Sequence, residues 1–298
     1  MTENRLGIDL GGTKIEAVVL DAQGEVVFKQ RRDSPSAEYA SLLSAIKGLV
    51  DQAEAAMGET FNVGIGTPGA ISPRTGRLRN ANTLCLNDKP LLQDLEQLLQ
   101  RPVRIANDAN CLALSEAVDG AAADFDTVFG VIVGTGTGAG LVWHKQLIIG
   151  RHAIGGEWGH NPLPWLKPFD HVRPCYCGQQ GCIETFLSGP GFAANTLAAT
   201  GQQLSSREIV QRAEQGDTPC VQAMQNYYDQ MGRALAHVIN IVDPDAIVLG
   251  GGMSNIQSLY MEVPERLSQY VFSDYVQTPI LAPSFGDASG VRGAAWLW

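Results

Sequence analysis

RLGIDLGGTK, residues 5–14, decides the fold, because a run of apolar residues feeds straight into a glycine-rich turn carrying Thr13 and Lys14. The device recurs as VGIGTPGAIS (63–72), VFGVIVGTGTGAG (128–140) and AIVLGGGMS (246–254). Each copy reads as a strand ending in a tight turn, since glycine reaches positive φ and lets backbones approach where a Cβ would block them. The first and third copies run on into second apolar stretches, IEAVVL and GLVWH, which makes them hairpins rather than strand-to-helix loops. Two copies in each half of the chain point to internal duplication of one α/β unit.

Between these strands lie segments of helical period. In YASLLSAIKGLVDQAEAAM (39–57) the apolar positions Leu42, Leu43, Ile46, Leu49, Val50 and Ala53 recur every three or four residues. PLLQDLEQLLQ (90–100) and QAMQNYYDQMGRALAHVINIV (222–242) follow the same rule, and Asp243 with Pro244 stops the last. HNPLPWLKPFDHVRPCYC (160–177) cannot be regular, because its prolines remove donors and fix φ. A loop of that length needs a staple.

The chain has 298 residues, 45% hydrophobic and 17% charged, enough for a sizeable core and for two domains. A net charge of −10, from 31 acidic and 21 basic residues, opposes a nucleic-acid partner, whose phosphates are met by Lys and Arg. The first twenty residues carry Asp9, Lys14 and Glu16 among their apolar positions, and no stretch has the length of a membrane span. The expectation is a soluble, cytoplasmic protein with no membrane partner. Of six cysteines, Cys175, Cys177 and Cys182 crowd together, whereas Cys85, Cys111 and Cys220 lie scattered among apolar neighbours as inert thiols.

Three constellations carry chemistry. Gly11, Gly12 and Thr13, and again Gly134, Thr135 and Gly136, offer turns whose backbone N–H groups converge on a phosphate. Lys14 follows the first turn, and Asp9 at the end of its strand suits a hydrated Mg²⁺. Plain tight hairpins are the alternative. In RIANDANCLALSEA (104–117) a strand end delivers Asn107 and Asp108 just before a helix. A carboxylate there can accept a hydroxyl proton during phosphoryl transfer, or it can simply cap the helix. Finally, His160, Cys175, Cys177 and Cys182 supply the imidazole and thiolates of a closed, structural tetrahedral Zn²⁺ site. A redox role is the alternative, but no C-x-x-C is present.

With those residues in view, the chain resembles the ROK sugar kinases, of the hexokinase, Hsp70 and actin superfamily. The matching stretches are LGIDLGGTKIEAVV, GIGTPGAIS, ANDANCLALSEA, GTGTGAG, GGEWGH, CYCGQQGCIET and VLGGGMS, in the family's order over essentially the full length. EWGHNPLPW, NANTLCLN and GVRGAAWLW extend the resemblance to the fructokinase and manno(fructo)kinase branch.

The resemblance implies two actin-like, hexokinase-like (ribonuclease H-like) α/β domains, each with a mixed five-stranded sheet flanked by helices and an active-site cleft between them. The first domain would run over 1–115 and recover 289–298; the second would take 116–288 with the zinc-stapled loop. Asp108 is then implied as the base. Asn107, Glu157, His160, Glu184, Asn82 and the backbone at Gly69 would contact sugar hydroxyls, with one His160 nitrogen on zinc and the other facing the sugar. The turns 11–13, 134–136 and Gly250, Gly251 and Gly252 would hold ATP, with Asp9 near Mg²⁺. The implied reaction is ATP-dependent phosphorylation of a hexose, fructose or mannose, at the 6-hydroxyl by a homodimer. N-acetylglucosamine or glucose is the alternative acceptor, and a non-catalytic sugar sensor the remote one. The family's repressors carry an N-terminal helix-turn-helix, for which Met1 to Arg5 leave no room, so no DNA-binding role is expected.

Overall fold

The computed structural model describes residues 4–298. The chain divides into a first unit, reaching to Asp124 and including Gly140–Gly155 and Ser284–Trp298, and a second, Phe125–Ala139 with Gly156–Pro283.

The opening stretch forms β1 (Arg5–Leu10) and β2 (Lys14–Leu20), followed by β3 (Val26–Asp33). Helix α1 (Tyr39–Met57) leads to β4 (Asn62–Thr67), a small ribbon of β5 (Ala70–Ile71) and β6 (Leu78–Arg79), then α2 (Leu91–Leu99) and β7 (Val103–Asn107). The sheet order is β3-β2-β1-β4-β7. β1 to β3 form antiparallel hairpins, while β4 pairs in parallel with β1 and β7.

Helix α3 (Asp108–Val118) precedes β8 (Thr127–Val133), β9 (Thr137–Trp143) and β10 (Gln146–Leu147). Helices α4 (Glu184–Leu187), α5 (Gly189–Thr200), α6 (Ser206–Glu214) and α7 (Thr218–Val242) come before β11 (Ala246–Gly250). Short helices α8 (Leu259–Glu262) and α9 (Pro264–Leu267), then β12 (Ile280–Leu281) and α10 (Ser289–Ala295), complete the chain. The second sheet has the order β10-β9-β8-β11-β12. Numbered within its own half, each sheet runs third, second, first, fourth, fifth, and β11 pairs in parallel with β8 and β12. The duplication inferred from the glycine turns is therefore present in the topology.

On one face of the first sheet, Leu6, Ile8 and Ile65 pack with Leu42, Ile46 and Leu49 of α1, as the helical period required. On the other face α10 lies so close that a Cβ at Gly64 would meet the Ala294 carbonyl oxygen at 1.8 Å. Only glycine permits that contact. Residues 116–124 and 284–288 join the first unit although the sequence-based division gave them to the second, and so do residues 140–155. For 140–155 the reason is packing on α3: a Cβ at Gly140 would touch Asn110 and Ala113, and Lys145 Nζ donates to the Ala117 carbonyl.

The proline-rich loop is irregular, but zinc is not its sole candidate staple. Arg233 of α7 is fully buried and donates to the carbonyls of Pro164 (2.9 Å) and Trp165 (3.1 Å). Its guanidinium also pairs with Asp170 and Asp229, each at 2.9 Å, and Lys167 Nζ reaches Asp229 at 2.7 Å. Among the described residues no helix is long and apolar enough to cross a membrane.

Candidate active site

In the first unit the candidate residues gather at the ends of β1, β4 and β7. Asp9, the penultimate residue of β1, pairs in register with Gly66 of β4, whose next residue, Thr67, aligns with Asn107 of β7. Asn107 caps α3: its side chain accepts the Asn110 N–H at 3.0 Å. Asp108 is the first helical residue, and its Oδ1 accepts the adjoining Ala109 N–H at 2.8 Å. The N-cap position that competed with catalysis for Asp108 thus belongs to its neighbour, although Asp108 still accepts one first-turn N–H.

Asp9 shows how crowded with charge this corner is. Burial, then the nearby Asp108 and Glu16 carboxylates, push its carboxyl up to about 6 against the opposing pull of Arg31. A carboxylate held at that cost, beside other acids, is a fitting ligand for a hard divalent cation, which would offset the repulsion. Burial followed by Asp9 and Asp108 likewise drives the Cys111 thiol well above its ordinary value, so it is inert.

The turn after β1 closes through Gly11 N–H to the Lys14 carbonyl at 3.0 Å, leaving Gly12, Thr13 and Lys14 exposed. Gly69, at φ +78°, lies between β4 and β5. Asn82 is exposed, in a segment fixed by Asn87, whose side chain bonds both the N–H and the carbonyl of Ala81.

In the second unit the turn after β8 closes through Gly134 N–H to the Gly136 carbonyl at 2.9 Å. Gly251, following β11, adopts φ +79° with the Val133 carbonyl oxygen only 2.6 Å from where a Cβ would lie, so this position admits glycine alone. Gly134, Thr135 and Gly252 open onto a cavity of about 890 Å³ walled by α6, the start of α5 and residues 253–258. Its polar lining is Thr135, Ser206, Arg207, Gln211, Glu214, Asn255, Gln257 and Ser258. Its size suits a small-molecule ligand as large as a nucleoside. The sequence reading missed this wall; the capping box Ser205–Glu208 that starts α6 was legible as S-x-x-E but reveals only a helix start.

Ligand atoms of His160, Cys175, Cys177 and Cys182 all lie within 4.8 Å of one another. The Cys175 Sγ to His160 Nδ1 and Cys177 Sγ to Cys182 Sγ separations are both 3.6 Å. Zinc–ligand bonds of ~2.0–2.3 Å in a tetrahedron place neighbouring ligands about 3.4–3.8 Å apart, the spacing of these two pairs, and the donor set is that of a zinc site. Burial pushes the Cys182 thiol up to about 12 and raises Cys175, whereas the Gln179 backbone N–H lowers Cys177. A bound dication is what would hold all of them as thiolates. The other His160 nitrogen, Nε2, expected to face a sugar, stands 3.0 Å from the Tyr176 hydroxyl.

Glu157 immediately precedes the short 3-10 helix Trp158–His160, and its side chain makes no capping hydrogen bond to it. Glu184 opens α4, and its Oε2 accepts the Thr137 N–H at 2.9 Å. It therefore reaches the glycine turn, a contact its assignment to sugar alone did not anticipate.

Known proteins resemble the whole chain. N-acetyl-D-glucosamine kinases of Salmonella newport and Salmonella heidelberg are 40% and 41% identical over 296 residues, 98% of each chain. The ROK hexokinase from Thermus thermophilus superposes with a TM-score of 0.88 at 29% identity, covering 98% of this chain and 97% of its own. A ROK family glucokinase from Streptomyces griseus, solved with glucose and AMPPNP, gives 0.76 at 28% identity, covering 99% and 98%. The ROK family model matches residues 5–298, and the chain belongs to the ROK family.

Proposed function

We propose that this chain is an ATP-dependent hexose kinase that phosphorylates the 6-hydroxyl of its sugar. The observation that carries the reading is Asp108, delivered by the end of β7 with the helix cap supplied by Asn107 instead. In the proposed reaction the Asp108 carboxylate accepts the hydroxyl proton as the oxygen bonds to the γ-phosphorus and ADP leaves. Asp9 would hold Mg²⁺, which when bound neutralises phosphate charge. The turns at Gly11–Thr13 and Gly134–Gly136 would orient the phosphates, and the cavity beside Gly252 the nucleoside. Glu157 would bind sugar hydroxyls, with Gly69 and Asn82 on the same substrate. The zinc site is structural in this reading, since four protein ligands leave no open position.

Two acceptors are supported by different observations. The names of the relatives at 40–41% identity support N-acetylglucosamine, the alternative raised by the sequence, over fructose. EWGHNPLPW, NANTLCLN and GVRGAAWLW support fructose and mannose. Sugar choice rests on a few pocket contacts, so both fit one catalytic set. ADP release measured with fructose, mannose, glucose and N-acetylglucosamine separates them. Turnover of none of the four would overturn the kinase reading.

A further inference from the structure

Helix α4 and the start of α5 converge on the Gly134–Thr137 turn. Glu184 Oε2 accepts the Thr137 N–H at 2.9 Å, and the Gly189 N–H donates to the Gly134 carbonyl at 2.8 Å. The turn is thus gripped at both ends by residues five apart in sequence. The backbone that follows Glu184 is held twice. Cys182, a candidate zinc ligand two residues before Glu184, accepts both the N–H (2.8 Å) and the hydroxyl (2.7 Å) of Thr185 through its carbonyl. Arg173, from the same loop, donates to the carbonyls of Thr185 and Gly191. A Cβ at Gly136 would come within 2.9 Å of the Glu184 carboxylate, so the turn and the acid are in direct contact.

We infer that Glu184 is a positioning residue for the nucleotide: it fixes the Gly134–Thr137 turn in its phosphate-binding shape and ties that turn to the metal-binding loop. The inference rests on the proposed kinase function and on that turn as a phosphate cradle. It extends the role of Glu184 beyond the sugar contact implied by resemblance. The Thr137 N–H is partly buried, and removing its acceptor leaves a donor unsatisfied and the turn free to relax. A carboxylate is not required for this. A carboxamide oxygen accepts the same bond, and without the negative charge it also repels phosphate less.

The test is AMPPNP affinity, measured without sugar, for the full chain and for Glu184→Ala and Glu184→Gln. The expected result is about tenfold weaker binding in Glu184→Ala, with Glu184→Gln at or tighter than wild type. A purely structural or purely sugar-binding role would not produce that split. If Glu184→Ala does not fold, Glu184→Asp, which withdraws the carboxylate by one methylene, should show the same weakening. Unchanged AMPPNP affinity in the alanine variant, or in the aspartate variant where that one replaces it, overturns the inference while leaving the kinase reading intact. So does a glutamine variant as weak as the variant that lost the contact. Wild-type protein that binds no AMPPNP overturns the kinase reading and the inference with it.

Discussion

Asn107 Oδ1 accepts the backbone N–H of Asn110 at 3.0 Å, which makes Asn107 the cap of α3 and leaves the first helical position to Asp108. The two residues therefore separate by phenotype. Asn107→Ala should lower stability by about 1 kcal/mol, the ordinary worth of a cap, read as a shift in the urea midpoint. A loss of that size in Asp108→Ala and none in Asn107→Ala would reverse the assignment.

Asp9 should trade stability for function. Its carboxyl is raised to about 6 in the fold, chiefly by burial, against an ordinary value of 3.8. A group shifted this way stabilises the fold when protonated. That contribution is complete below 3.8 and is lost as pH rises through about 6. Asp9→Asn is neutral at every pH, so metal-free, nucleotide-free variant should be more stable than wild type at pH ~7.5, by about 2–3 kcal/mol, with the gap closing near pH ~4. Thermal melts across that range check it. A less stable variant at neutral pH would contradict the electrostatic account.

Much of this was legible in advance. The alternation of strand and glycine turn gave β1, β2, β4, β8 and β11, because Gly64 and Gly251 stand where no side chain fits. Asp9, Asp108 and the Cys/His cluster were visible because carboxylates and thiolates at strand ends and loop crowding are chemically unusual. Arg233 was not, since inside the apolar period of 222–242 a lone arginine reads as a surface residue, and its loop partners Pro164, Trp165 and Asp170 lie 63 to 69 positions away. The polar wall of the nucleoside-sized cavity was hidden for the same reason: Ser206, Gln211 and Asn255 acquire meaning only once α6 folds beside Gly134.

The buried Arg233 predicts a large single-site effect. Asp170 is fully buried with it, so Arg233→Met leaves an uncompensated carboxylate and two carbonyls without their donor. The cost should be about 3–5 kcal/mol, measured by chemical denaturation. A loss below ~1 kcal/mol would mean that the ion pair is replaceable by apolar packing alone.

Two staples on one loop give a spatial prediction for metal removal. Purified protein should carry roughly one zinc per chain by elemental analysis, in line with a Cys₃His ligand set. After chelation, the amides of Cys175, Gly178 and Gly181, bonded within the metal knuckle, should exchange faster with solvent deuterium. Those of Lys167 and Asp170, bonded to each other beside Arg233, should not. Uniform acceleration from 160 to 182 would show that zinc alone holds the loop.

The base assignment is tested most directly by kcat in Asp108→Asn, with ATP and Mg²⁺ saturating and the best sugar of the panel. The asparagine is nearly isosteric and the cap remains with Asn107, so the fold and sugar affinity should persist. Without a carboxylate to take the hydroxyl proton, kcat should fall by at least ~10². A folded Asp108→Asn variant that binds sugar and turns over near the wild-type rate would remove Asp108 from the chemistry and contradict the account.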